Sequence, residues 1–301
     1  MTNELIKKTF PGWGFADNRI FPLAKVFMDV PPSLYTISWY SAMQRYCLTN
    51  VDIKTDELIF FNDSQQEMVL DDIETFWNSE EQYKKFSVNH KRSVLLYGAP
   101  GCGKTGILMK LLDNLFKMNG LAIQITQEDD LSCIANLINE IKAFDEKKKI
   151  VLVLEDVDCY ASGKNASILL NILDGGFQYS NFVTVATTNY PDLLEERFVN
   201  RPGRFNLRIE IKKPDYKMRS AFLTRKFAGM KTEEEIIALS KNSEGFTLDH
   251  LKELFVLIAV NGFSDEAALA RIDDFIKRST LTRPKLTEIQ KVGFNTDKTS
   301  K

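Results

Sequence analysis

The stretch Gly98-Ala-Pro-Gly-Cys-Gly-Lys-Thr105 has the spacing G-x-x-x-x-G-K-[ST]. Glycines in such a stretch let the backbone curl until several N–H groups point at one phosphate chain. A helix opening near Lys104 would add the positive end of its dipole. On this reading Gly98, Ala99, Pro100, Gly101, Cys102, Gly103, Lys104, Thr105 and Gly106 form a nucleotide-binding loop. The Lys104 ammonium would neutralise the β- and γ-phosphates, and the Thr105 hydroxyl would ligate Mg²⁺. Cys102 reads as a small loop residue rather than a reactive thiol.

A second constellation follows in Ile150-Val-Leu-Val-Leu-Glu-Asp-Val-Asp158, an apolar run that ends in adjacent carboxylates. This pattern describes a central strand whose C-terminal end faces the ligand crevice of an open α/β sheet. One carboxylate can hold the shell of a Mg²⁺ ion while its neighbour orients and deprotonates water. Phosphoryl transfer needs that division of labour.

These groups need a scaffold, and the hydrophobic pattern supplies one. From Ser93 to Ile211 apolar runs alternate with helical periodicity, which predicts a parallel α/β sheet with strands at 93–97, 121–126, 150–154, 182–187 and 207–211. Leu131, Ile134, Leu137, Ile138 and Ile141 recur on one helical face between the second and third strands. After Pro214 the pattern is helical, over 215–228, 232–241, 247–261 and 264–278. Thr247 and Asp249 read as cap and first-turn residues of the third of these helices. Residues 1–80 contain Trp13, Trp39 and Trp77 among several tyrosines and prolines, a composition that disordered segments lack. Within them Val51–Phe61 reads as a small hairpin and Met68–Phe86 as mostly helix.

The chain has 301 residues, 44% hydrophobic, enough for two packed units. A net charge of −2 carries no nucleic-acid signature, and no signal peptide or long apolar span is evident, so a cytoplasmic protein without a membrane partner is expected. Cys47, Cys102, Cys133 and Cys159 are isolated, so neither a zinc site nor a disulfide frame is expected.

Taken with Leu169-Leu-Asn-Ile-Leu-Asp-Gly175, Ala186-Thr-Thr-Asn-Tyr190 and Asn200-Arg-Pro-Gly-Arg-Phe205, the two constellations resemble the AAA family of ATPases, in its classical clade. The reversed Glu155-Asp156 order and the Thr-Thr-Asn-Tyr sequence more narrowly resemble the subfamily of the mitochondrial cytochrome bc complex assembly factor and related bacterial and phage ATPases. The resemblance implies a P-loop NTPase fold: a five-stranded parallel sheet in the order 5-1-4-3-2 followed by a small helical lid. With it comes a domain plan of an N-terminal α+β substrate or partner module at 1–80, an ATPase core at 81–213, a lid at 214–280 and a flexible tail at 281–301.

The resemblance also implies roles. Glu155 would hold the Mg²⁺ shell, through water, and Asp156 the attacking water. Asn189 would be the polar sensor of the γ-phosphate, and Arg201 and Arg204 would be arginine fingers acting on the neighbouring subunit's nucleotide. It follows that ATP and Mg²⁺ are the expected substrate and metal. The expected assembly is a homo-oligomeric ring, hexameric or heptameric, that remodels or translocates a macromolecular client, most simply a protein. Asp174-Gly-Gly-Phe177 resembles the family's inter-subunit Asp-Gly-Phe element, with one extra glycine. Where threading relatives carry an aromatic gripping triplet, this chain has Thr126-Gln-Glu-Asp-Asp-Leu-Ser132, acidic and without aromatics. Two alternatives stand beside the motor. A DNA-associated loader would add a nucleic-acid partner, but the Arg-Pro-Gly-Arg form and the net charge argue against it. A slow nucleotide-dependent switch is suggested by the reversed carboxylates.

Overall fold

The computed structural model describes residues 10–16, 19–26, 29–41, 44–52, 64–126, 131–160, 163–174, 179–194, 198, 201 and 203–281. The acidic stretch Gln127–Asp130, Gly175–Phe177, the tail beyond 281 and all but the first two residues of the Val51–Phe61 hairpin lie outside them. The chain divides into two compact units, Met1–Lys212 and Lys213–Lys301.

In the first unit, β1 (Phe10–Ala16) and β2 (Arg19–Val26) form an antiparallel sheet of their own. The main sheet comprises β3 (Leu34–Tyr40), β4 (Arg45–Val51), β5 (Lys91–Tyr97), β6 (Leu121–Ile125), β7 (Ile150–Leu154), β8 (Phe182–Thr188) and β9 (Leu207–Glu210). Their order is β4-β3-β6-β7-β8-β5-β9. All neighbours are parallel except β4, which runs antiparallel to β3.

The five strands expected from the sequence lie as β9-β5-β8-β7-β6, the arrangement the resemblance implies. The count of five is corrected to seven, and the sheet is mixed rather than all parallel. β3 adds to the open side of β6 by pairing Leu34–Thr36 with Ala122–Gln124, and β4 folds back on β3. No local pattern announces this, because the partner edge comes from a distant part of the chain and the strand itself sits among prolines and aromatics.

Alternation along the strands builds two cores, one on each face. Leu95, Ile123, Leu152 and Leu154 face α4 (Ile134–Phe144) and α5 (Gly163–Asp174) in one cluster. Val94, Leu96, Val151, Val153, Val183 and Val185 share the opposite cluster with α1 (Ser64–Asn78) and α3 (Lys104–Lys117). A short α2 (Glu80–Lys85) follows α1. The five residues placed on one face between the second and third strands are all buried. Every residue of β7 and β8 is buried too, which fixes the rim where their C-terminal ends emerge.

The second unit is helical: α6 (Tyr216–Lys226), α7 (Glu233–Asn242), α8 (Leu248–Phe255), a π-helical turn at Val256–Val260, and α9 (Asp265–Leu281). Its boundaries follow side-chain caps. Asp215 accepts from the Met218 N–H, and Thr232 with Glu235 closes a capping box on α7. At α8 the box is Thr247 with His250, whose Nδ1 accepts from the Thr247 N–H at 3.2 Å. That acceptor role requires a neutral ring, and burial followed by the nearby Lys213 charge holds His250 below the usual histidine range. Among the described residues no helix is long and apolar enough to cross a membrane.

Candidate active site

Strand β5 ends at Tyr97 and the glycine loop turns from it into α3. Gly98 has φ 142°, and a Cβ built there would stand 2.3 Å from the Ile211 carbonyl oxygen. The cause is the Ile211 N–H, which donates to the Tyr97 carbonyl at 2.7 Å and draws the chain leaving β9 across the loop. Only glycine fits both the conformation and the space. We expect Gly98→Ala to cost about 1–3 kcal/mol of stability through strain and collision with backbone. A thermal melt indistinguishable from wild type would contradict this.

Gly103, at φ 102°, stands at the N-terminal boundary of α3 and offers no side-chain cap to the first N–H groups of the helix, where Lys104 begins. Lys104 is only 8% exposed. Its Nζ donates to the Gly98 carbonyl at 2.8 Å, the Ala99 carbonyl at 3.1 Å and Asn189 Oδ1 at 2.6 Å. Thr105 is exposed in the first turn of the same helix, and Cys102 is buried.

The carboxylates emerge where β7 ends. Glu155 is half-buried and accepts from Gln124 Nε2 at 3.1 Å. Burial first, and the adjacent Asp156 charge second, push its carboxyl above the usual range. Asp156 is exposed and in the left-handed conformation, φ 49°. Its N–H donates to Thr187 Oγ1 at 3.3 Å, and its Oδ1 accepts from Asn189 Nδ2 at 3.3 Å. Lys104, Asn189 and Asp156 therefore form one hydrogen-bonded chain, with Glu155 beside it in sequence.

Arg201 and Arg204 make their ion pairs with Asp174, the last residue of α5. Arg204 donates through Nε and Nη2, each at 2.8 Å, to the two carboxylate oxygens. Arg201 donates through Nη1 at 3.3 Å.

Three positions without an assigned role in the sequence reading prove to support these groups. Gln124 orients Glu155, Thr187 holds the Asp156 backbone, and Thr188 bonds Asp158 while accepting from the Tyr190 N–H at 2.9 Å. Thr187 and Thr188 are buried, so their hydroxyls must find partners, and the turn after β7 provides them. The doubled threonine before Asn189 was the available signal. Gln124 gives none, because a polar residue near a strand end is ordinary.

The donor set fits a triphosphate with Mg²⁺. An exposed hydroxyl and carboxylate oxygens are hard ligands suited to that ion. Two adjacent acidic side chains, one raised by burial, create a negative charge excess that a divalent cation relieves.

Residues 94–213 match the family model described as ATPase family associated with various cellular activities (AAA), so this segment is similar to the domains of that family. The chain is 28% identical over 181 residues to a putative cell division cycle ATPase of Plasmodium falciparum, covering 55% of this chain and 15% of that one. It is 32% identical over 191 residues to an uncharacterized protein of Acanthamoeba polyphaga mimivirus, covering 58% and 59%. Over 218 residues it is 28% identical to the proteasome-activating nucleotidase of Thermococcus kodakarensis, covering 65% and 53%. The chain thus spans from about a seventh to about three fifths of these relatives. They support the classical clade at large and do not single out the bc-complex assembly subfamily.

Proposed function

We propose that this chain hydrolyses ATP to ADP and phosphate with Mg²⁺ and, as a homo-oligomeric ring, uses that reaction to remodel or translocate a protein client. The observation that carries the reading is the hydrogen-bonded chain Lys104–Asn189–Asp156 at the C-terminal rim of an AAA sheet. ATP as the nucleotide rests on the family. The protein client rests on likeness to a nucleotidase named for activating the proteasome.

In this mechanism the glycine loop and the open end of α3 bind the phosphates, with Lys104 as the principal cation. Thr105 and, through water, Glu155 would hold Mg²⁺, which would supply positive charge to the phosphate oxygens. Asp156 accepts the proton of the attacking water. Asn189 offers both a donor and an acceptor, so it holds that water without titrating. The exchange of Lys104's carbonyl and amide partners for phosphate oxygens would free Asn189 for this task. Guanidinium charge from a neighbouring subunit then completes the site.

The test separates the two carboxylates. Asp156→Asn is expected to bind ATP and slow turnover by roughly 10²–10⁴-fold, the range of a lost general base. Glu155→Gln should in addition weaken Mg²⁺-dependent binding. Phosphate release and native mass spectrometry, with and without ATP, supply the readouts. Wild-type turnover by Asp156→Asn would overturn the assignment, and exchanged phenotypes would mean that the roles follow residue type rather than position.

A further inference from the structure

Arg201 and Arg204 enter the reading above as equals, but their surroundings differ. The Arg204 side chain is 8% exposed and forks onto both oxygens of Asp174 at 2.8 Å. The Arg201 side chain is 68% exposed and makes one 3.3 Å contact, to an oxygen that Arg204 already uses. A forked guanidinium–carboxylate pair fixes geometry on both sides, whereas a single long contact from an exposed arginine is easily given up.

Asp174 is itself placed by the end of α5, where Lys91 Nζ donates to the carbonyl of the preceding Leu173. The hydrogen bond from Arg204 holds the Asp174 carboxyl below the usual carboxylate range, and the same bond raises Arg204. The Arg204 N–H also donates to the Arg201 carbonyl at 3.0 Å, which closes a turn between the two arginines. One end of that turn is therefore anchored to α5 and the other projects into solvent.

We propose that Arg204 is a positioning residue, clamped by Asp174 to fix the turn, and that Arg201 alone reaches the neighbouring subunit's phosphates. The proposal rests on the ring-ATPase reading. For Arg204 to reach out it would have to abandon two charge-assisted bonds and leave Asp174 behind; Arg201 gives up almost nothing. Asp174 is the last residue of α5, so movement of that helix end would be transmitted through the clamp to the Arg201 turn.

The experiment is a double-mutant cycle on assembled full-length protein, with kcat and KM for MgATP measured separately. Asp174→Ala and Arg204→Ala should each lower kcat by about 10²-fold, the scale of a misplaced catalytic group, with KM little changed. The double variant should be no slower than either single one, because both remove the same clamp. Arg201→Ala should fall further, and the charge exchange Asp174→Arg with Arg204→Asp should recover part of kcat. Should an alanine variant fail to assemble, Arg204→Lys and Asp174→Asn make the same comparison, since each breaks the fork with little change in volume. Equal losses support the proposal. Loss on changing Arg204 with wild-type kcat on changing Asp174 overturns it, since Arg204 would then act directly. Wild-type activity in Arg201→Ala, with turnover per subunit flat on dilution, removes the ring reading itself and the proposal with it, a result distinct from any outcome at Asp174.

Discussion

Arg201→Ala should turn over ATP on the order of 10³–10⁵-fold more slowly than wild type, the value of an arginine finger, while still binding nucleotide. The charge that spreads over the transferring phosphoryl oxygens needs a permanent, forked cation, and the exposed Arg201 is free to supply one across an interface. The effect should therefore be repairable in trans. Lys104→Ala protein retains the finger but fills its own site poorly, and Arg201→Ala protein has a filled site but no finger. Mixing them should recover turnover that neither has alone, and wild-type activity per subunit should rise with concentration as rings assemble. Failure of every mixture to exceed its components, with mixed assemblies visible by native mass spectrometry, would show that the arginine does not act between subunits.

Lys104→Ala should weaken ATP binding by roughly 30- to 4000-fold, which corresponds to the approximately 2–5 kcal/mol of a truncated, desolvated charge pair. The glycines remain, but their N–H groups hold partial charges only, and the phosphates lose their one full cation in the loop. A second loss follows from the geometry. Lys104 Nζ also holds Asn189 Oδ1 at 2.6 Å, so the substitution releases the amide that orients toward Asp156. A fluorescent-nucleotide titration measures the first effect. Unchanged affinity would mean that the loop binds phosphate by backbone alone.

The central strands, the glycine loop between β5 and α3 and the carboxylates at the end of β7 were legible in the sequence because each is local. The apolar run of β7 is unbroken and buried on both sides, and it ends where its carboxylates begin. The helix after β6 shows its face as a simple periodicity. What could not be read was whatever depends on distant partners. β3 and β4 join the sheet through an edge supplied by β6, so the expected five strands became seven. The loop motif identified Lys104, yet its contact with Asn189 across 85 positions required the fold. Likewise the Arg-Pro-Gly-Arg motif suggested two equivalent charges. Their inequality arises from Asp174, a residue whose importance lies in where α5 stops.

The strand order has a consequence for the newly made chain. β5, which carries the nucleotide loop, pairs with β8 and β9 and with nothing synthesised before it. β3, made earlier still, awaits β6 for its parallel partner. Order of emergence and order of pairing therefore run against each other, and the edges exposed meanwhile are those that invite misassembly during synthesis. The Ile211 backbone that closes over Gly98 follows every strand of the sheet. A nascent chain thus completes the glycine loop only when the whole sheet has been made, so that under the proposed function ATP binding would itself report that the sheet has finished folding.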